Sequence, residues 1–169
     1  MPVTVRRMDT PGEADLAALA GVLADCVEGG ASVSFLQPLG RERALAFWRR
    51  VAASAAAGER VLLVAEDEAG ICGTVQVILD LPENQPHRAD VSKMLVHRRA
   101  RRQGLGAALM RAAEAHARAL GRSLLVLDTA SADAERPMHG SAGASSARSR
   151  ATRCCRTASR ARRATSTAT

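Results

Sequence analysis

A mixed α/β fold is predicted by three features of the chain. Between Val91 and Asp128 an apolar strand, a basic turn holding two glycines, a long helix and a second apolar strand succeed one another. Strands joined through a helix run parallel, with a right-handed crossover. Ahead of that unit, β-rich runs at 61–66 and 71–79 flank a short Asp67-Glu-Ala-Gly70 turn and predict an antiparallel hairpin. Ahead of the hairpin, two segments carry apolar residues at helical spacing. Both kinds of pairing within 169 residues, enough for a sizeable core, predict one domain built on a mixed sheet.

In chain order, Val3 to Arg7 reads as a first strand. Thr10-Pro-Gly-Glu13 reads as a capping box with Pro11 at the first helical position, and Leu16, Leu19, Leu23 and Val27 mark the buried stripe of the helix it opens. Gly29-Gly30 stops that helix, and 31–40, with Pro38, reads as a loop. A second helix is predicted over 41–57, with Leu45, Trp48, Val51 and Ala55 facing inward and Gly58 ending it. Trp48 reads as a core anchor and Cys72, in the hairpin, as a small hydrophobe. Residues 81–87 contain two prolines and connect to the central strand. The helix Leu105 to Leu120 places Leu105, Leu109, Ala112, His116 and Leu120 near one face, and Gly121 caps it. His116 reads as a packed or half-exposed histidine and not a catalytic one.

The turn carries the chemistry. Arg101-x-x-Gly104-x-Gly106 opens a helix, so free backbone N–H groups and the positive end of the helix dipole meet glycines that let an anion approach closely. Arg98, Arg99, Arg101 and Arg102 add a positive field suited to phosphates. A plain solvated basic turn is the bland alternative. A dinucleotide-binding turn is a second, but there the glycines follow the strand at once and a small residue sits three positions after the second glycine. Here eight positions separate Val96 from Gly104, and Leu109 fills the small-residue slot.

Arg101, Gly104 and Gly106, preceded by Met94-Leu95-Val96, resemble the signature of the GNAT superfamily of acetyl-CoA-dependent N-acetyltransferases. The tract from Leu81 to Val96 looks more narrowly like tabtoxin-resistance acetyltransferases. The resemblance implies a GNAT-like acyl-CoA N-acyltransferase fold, a mixed sheet with a splayed central parallel strand pair. It implies acetyl-CoA as co-substrate, with Met94, Leu95 and Val96 along the pantetheine arm and Arg101, Arg102, Gln103, Gly104, Leu105, Gly106 and Ala107 around the diphosphate. It implies direct transfer to the amine of a small molecule, a toxin or amino-acid-like compound in the narrower family, with no covalent cysteine intermediate. The first helix and the loop after it would border the acceptor groove, and a backbone N–H near Leu95 would polarise the thioester oxygen.

Transfer to an amine needs a group to take its proton. Two carboxylates suit. Asp128 ends the second parallel strand, at the carboxyl end where crevices of parallel sheets open. Asp90 begins the central strand, and regular alternation would put Asp90, Ser92, Met94 and Val96 on one face. Each also reads as a strand-end cap or solvated acid. His87 is a weaker candidate base. The family's usual acid is a tyrosine after the second parallel strand, and this chain contains no tyrosine.

The net charge of +7 has a location. Seven of the 24 basic residues and none of the 17 acids lie after 136, so residues 1–136, the acetyltransferase domain that the resemblance implies, are neutral. Positions 137–169 hold no Leu, Ile, Val, Phe, Tyr or Trp, cannot bury enough apolar surface to offset chain entropy, and are expected to be disordered. A shifted reading frame offers another account. Pro137-Met-His-Gly-Ser-Ala-Gly143 can be encoded so that a neighbouring frame gives Tyr-Ala-Arg-Leu-Gly-Trp, the tyrosine-bearing pattern the resemblance leads one to expect there. A basic tail that grips nucleic acid lacks the interleaved aromatics. The expectation is therefore no nucleic-acid partner, and no membrane partner either, since no run of about 18 apolar residues occurs. Met1-Pro-Val-Thr-Val-Arg-Arg lacks an apolar leader core. Four cysteines without a spaced metal pattern fit a reducing cytoplasm and no metal. Turnover and mere acyl-CoA binding both stay open, as do monomer and homodimer.

Overall fold

The computed structural model describes residues 3–31 and 33–128, together with the backbone of 152–156. Its elements are β1 (Thr4–Arg7), α1 (Glu13–Glu28), α2 (Arg41–Ala56), β2 (Arg60–Asp67), β3 (Gly70–Ile78), β4 (Arg88–Val96), α3 (Leu105–Ala119), β5 (Leu124–Asp128) and β6 (Thr152–Arg156). The sheet keeps sequence order, β1 through β6. All neighbours are antiparallel except β4 and β5, which run parallel through the α3 crossover. The mixed α/β architecture expected from the sequence is present.

Alternation along the strands gives the sheet two apolar faces. Leu62 and Val64 of β2 point to the side of α1 and α2, meeting Leu19, Leu23, Trp48 and Val51. Val61, Leu63 and Ala65 point to the other side, where α3 lays down Leu105, Leu109, Met110, Ala113 and Ala117. Trp48 is fully buried. Large aromatics in such a position contribute about 3–5 kcal/mol, so it anchors that half of the core.

Two local expectations shift. The first helix is capped by Gly12, whose N–H donates to the Asp15 carboxylate at 2.9 Å, so the capping pair sits two residues later than Thr10 and Glu13. On α3 the buried line is Leu105, Leu109, Ala113 and Ala117, while Ala112 and His116 are only half-buried and Leu120 is 46% exposed. A ladder of four-residue steps stays over the sheet there, and the three-residue steps drift off it. His116 Nδ1 lies 3.0 Å from the Ala112 carbonyl, a local helical contact.

In the tail, expected to be disordered, Thr152–Arg156 forms β6 against β5, from Leu124↔Arg156 to Asp128↔Thr152. The outer edge of β5 offers unpaired backbone groups, and any extended segment can answer them. The rest of 137–169 lies outside the described residues. Among the described residues no helix is long and apolar enough to cross a membrane.

Candidate functional site

The site begins where the parallel ladder stops. β4 and β5 pair from Arg88↔Leu124 to Val91↔Leu127, yet β4 continues to Val96. Ser92 to Val96 therefore have no ladder partner on the β5 side among the described residues. A gap between two parallel strands exposes backbone N–H and C=O groups that an extended ligand can join.

The same stretch is bulged. Gly73 faces Val96 and Thr74 faces Leu95, but Gln76 faces Ser92, so β4 has two residues, Lys93 and Met94, where β3 has only Val75. Lys93 takes φ of 50°, a left-handed conformation that costs a non-glycine residue about 1–3 kcal/mol. One extra residue inverts the side-chain alternation beyond it. Ala89, Val91, Met94 and Val96 all pack toward α3, whereas Leu95 joins the core beneath α1 and α2. The expected single face of Asp90, Ser92, Met94 and Val96 is thus corrected: Asp90 and Ser92 stand on the opposite side from Met94 and Val96.

The turn follows. His97 leads into a short 3-10 turn, Arg98–Ala100, and Gly104 caps α3 with φ of 75°, where a residue without Cβ is favoured. The first N–H to find a helical acceptor is that of Ala108, on the Gly104 carbonyl, so the N–H groups of Leu105, Gly106 and Ala107 remain for an outside acceptor. Gly73 lets this helix end come close to the sheet. A Cβ there would lie 3.2 Å from the Leu95 carbonyl, 3.2 Å from Leu109 and 3.3 Å from Leu105.

The four arginines divide. Arg98 donates through Nε to Asp25 at 2.7 Å and through Nη2 to Glu28 at 3.3 Å. Arg99 pairs with Asp67 and donates to the Gly70 carbonyl. Both are neutralised and brace the turn. Among the described residues Arg101 meets no carboxylate: its Nε donates to the Val96 carbonyl at 3.1 Å and its Nη2 lies 3.9 Å from Cys26 Sγ. Arg102 is exposed, with φ of 63°, and forms no salt bridge among the described residues. Arg101 and Arg102, together with free amides, therefore suit a diphosphate, whereas an open cleft of about 560 Å3 beside Arg99 is walled by Asp67 and Glu68 and suits it poorly.

Asp25 is one residue that sequence reasoning missed. Buried near the end of α1, it also accepts the Arg98 backbone N–H at 2.8 Å. Burial alone would push its carboxyl up. The two Arg98 hydrogen bonds and the charges of His97 and Arg98 outweigh that and hold it below the usual carboxylate value. An acid set among Leu23, Cys26 and Val27 was the available signal. Next to it Cys26 is buried, which raises its thiol pKa and disfavours a nucleophilic thiolate.

Of the candidate bases, Asp90 sits within the paired part of β4, opposite Val126. Both its oxygens are held by Arg88, at 2.7 and 3.0 Å. Asp128 ends β5 at the mouth of the gap; its side chain lies outside the described residues. His87 is exposed and precedes β4, at the opposite end from the gap.

On the α1 and α2 side of the gap a second cluster forms. Lys93 Nζ donates to the Val33 carbonyl at 2.7 Å and approaches Ser34 Oγ at 3.4 Å. It stands 5.7 Å from the Phe35 ring centre and 5.9 Å from that of Phe47. Burial lowers its pKa. Arg43 lies 5.7 Å from the Phe35 ring centre. Among the described residues no group of three His, Cys, Asp or Glu is placed to hold a metal.

The chain is similar to known proteins. The description "Acetyltransferase (GNAT) family" matches residues 30–140. An uncharacterized N-acetyltransferase of Azospirillum brasilense is 32% identical over 137 residues, covering 80% of each chain. A structure from Salmonella typhimurium that holds its cofactor acetyl-CoA superposes with a TM-score of 0.65 at 21% identity, over 82% of this chain and 78% of that one. A ribosomal-protein-alanine N-acetyltransferase from Brucella melitensis superposes at 0.64 with 24% identity, over 80% of each chain.

Proposed function

The chain belongs to the GNAT acetyltransferase family, and from that premise we propose that it moves an acetyl group from acetyl-CoA directly to the amine of a small molecule. The observation that carries the reading is the joint one of gap and turn: β4 runs five residues past its last pairing with β5 and leads into a helix start capped by a left-handed glycine. The open edge of Met94, Leu95 and Val96 suits the amide-bearing pantetheine arm. Gln103, Gly104, Leu105, Gly106 and Ala107, with Arg101 and Arg102, suit the diphosphate.

The acceptor nitrogen attacks the thioester carbonyl carbon, the C–S bond breaks, and CoA leaves as a thiolate that takes up a proton. A backbone N–H on the bulged edge, near Leu95, would stabilise the oxyanion. Asp128 is the proposed proton acceptor, directly or through water. What supports it over Asp90 is that Arg88 occupies both Asp90 oxygens, which weakens a carboxylate as a base. Release of free thiol from acetyl-CoA in the presence of an amine panel tests the reading. Release that needs an amine and falls on Asp128→Asn supports it; none with any amine refutes it.

The chain lacks tyrosine, and that observation favours a second reading, an acyl-CoA-binding protein without turnover. Calorimetric CoA binding with no thiol release would support it. We also infer that residues beyond 136 are read out of frame. Resequencing that returns the tail unchanged removes this inference.

A further inference from the structure

The groove on the α1 and α2 side of β4 is rich in donors and cations that no acid answers among the described residues. Lys93 and Arg43 stand about one ring, Phe35, and neither forms a salt bridge among the described residues. The Lys93 ammonium has three N–H groups, of which one makes a short bond to a neutral carbonyl and a second a long one to a hydroxyl. Gln76, directly opposite Ser92 in the ladder, is 1% exposed and leaves its Nε2 without a partner. Trp48 is fully buried and leaves its Nε1 without one, and its ring packs 5.0 Å from that of Phe47. Asp90, the acid on this face, is held by Arg88. Buried donors without acceptors are uncommon, because each forfeits a hydrogen bond. Half-burying an ammonium at a position of positive φ is a costly way merely to hold a loop.

We propose that this groove recognises an oxyanion on the acceptor, and that Lys93 is the residue that selects it. The acceptor class is then a primary amine bearing a carboxylate or similar oxyanion a few bonds away. This deepens the acetyl-transfer reading and rests on it for the position of the amine. Beside partly buried rings, cations without an acidic partner attract a carboxylate and repel a second ammonium. Amines carrying extra positive charge, such as polyamines, are excluded by the same field.

The test compares matched amines: an α-amino acid, the amine left by its decarboxylation, and the aminophosphonate of the same skeleton. Thiol release from acetyl-CoA is read for the native chain, Lys93→Met and Lys93→Arg, and binding of the same amines is read by calorimetry with CoA present. The expected result is kcat/KM at least tenfold higher for the oxyanion-bearing amines. Lys93→Met should abolish that preference through KM, and Lys93→Arg should restore part of it. A lysine that only tethers the loop would change all three amines alike. The native comparison needs no variant to fold, and equal turnover of charged and uncharged partners overturns the proposal while leaving acetyl transfer intact. If no amine releases thiol but the oxyanion-bearing ones bind in a Lys93-dependent way, the oxyanion site stands and the transfer reading falls. Absence of both overturns both. Preference for the phosphonate over the carboxylate identifies the oxyanion.

Discussion

On the α3 side of β4 the binding turn is assembled from consecutive residues, 101–107, and most of what it offers is backbone: three free N–H groups and one left-handed glycine. On the α1 and α2 side the groove draws Val33, Phe35, Arg43, Phe47, Gln76 and Lys93 from four separate segments, and what it offers is side chains. Backbone recognition asks little of residue identity beyond glycine, so it suits a part of the ligand that never changes. Side-chain recognition can be retuned one residue at a time, which suits the part that defines a substrate.

That contrast breaks most sharply at Gly104. Replacing it with valine asks a β-branched residue to hold φ of 75°, at about 2 kcal/mol, or some thirtyfold in Kd for CoA. Calorimetry should show this loss while amine preference stays as it was; an unaltered Kd would mean the turn does not grip the diphosphate.

A smaller effect is expected where the two sides are fastened together. Asp25→Asn removes a carboxylate that accepts from both the backbone and the guanidinium of Arg98, a loss of roughly 1.5 kcal/mol in stability. The sign with pH follows from the direction of its shift. A folded-state pKa below the unfolded one contributes stability above the unfolded value, near 3.9, and that contribution disappears as pH falls through the folded value. Denaturant titrations of native and variant chains should therefore differ at pH 7 and converge in acid; a constant difference would show that Asp25 acts through packing instead of charge.

The smallest effect separates the arginines. Arg102→Ala should weaken CoA by a factor of about five or less and flatten the salt dependence of binding. Arg99→Ala, whose charge is already met by Asp67, should leave that salt dependence intact. Identical salt curves for both would erase the division between braces and binders.

How legible each side was in the sequence follows from the same contrast. The turn could be read because its function lies in spacing: Arg101, Gly104 and Gly106 announce a helix start whatever surrounds it. Strands, helices and the parallel pair were equally visible, since apolar periodicity fixes them locally. The faces of β4 were not. Regular alternation counted along Asp90, Ser92, Met94 and Val96 failed because the bulge depends on how β3 is paired, and nothing between Arg88 and Val96 marks it. Gly73 looked like one more strand residue until Leu105 and Leu109 were seen against it. Lys93 drew no notice for the same reason, as its partners lie some sixty residues earlier. The four arginines could be counted but not sorted, because Asp25 and Asp67 approach from other elements.

The bulge at Lys93 and Met94 adds one residue to β4 that the ladder with β3 does not need. Remove a single codon there and regular alternation still points Met94 and Val96 to the α3 side and Leu95 into its core, but the left-handed step that carries Lys93 is gone. Excision at that spot therefore spares the apolar packing on both faces and removes only the Lys93 cation of the groove.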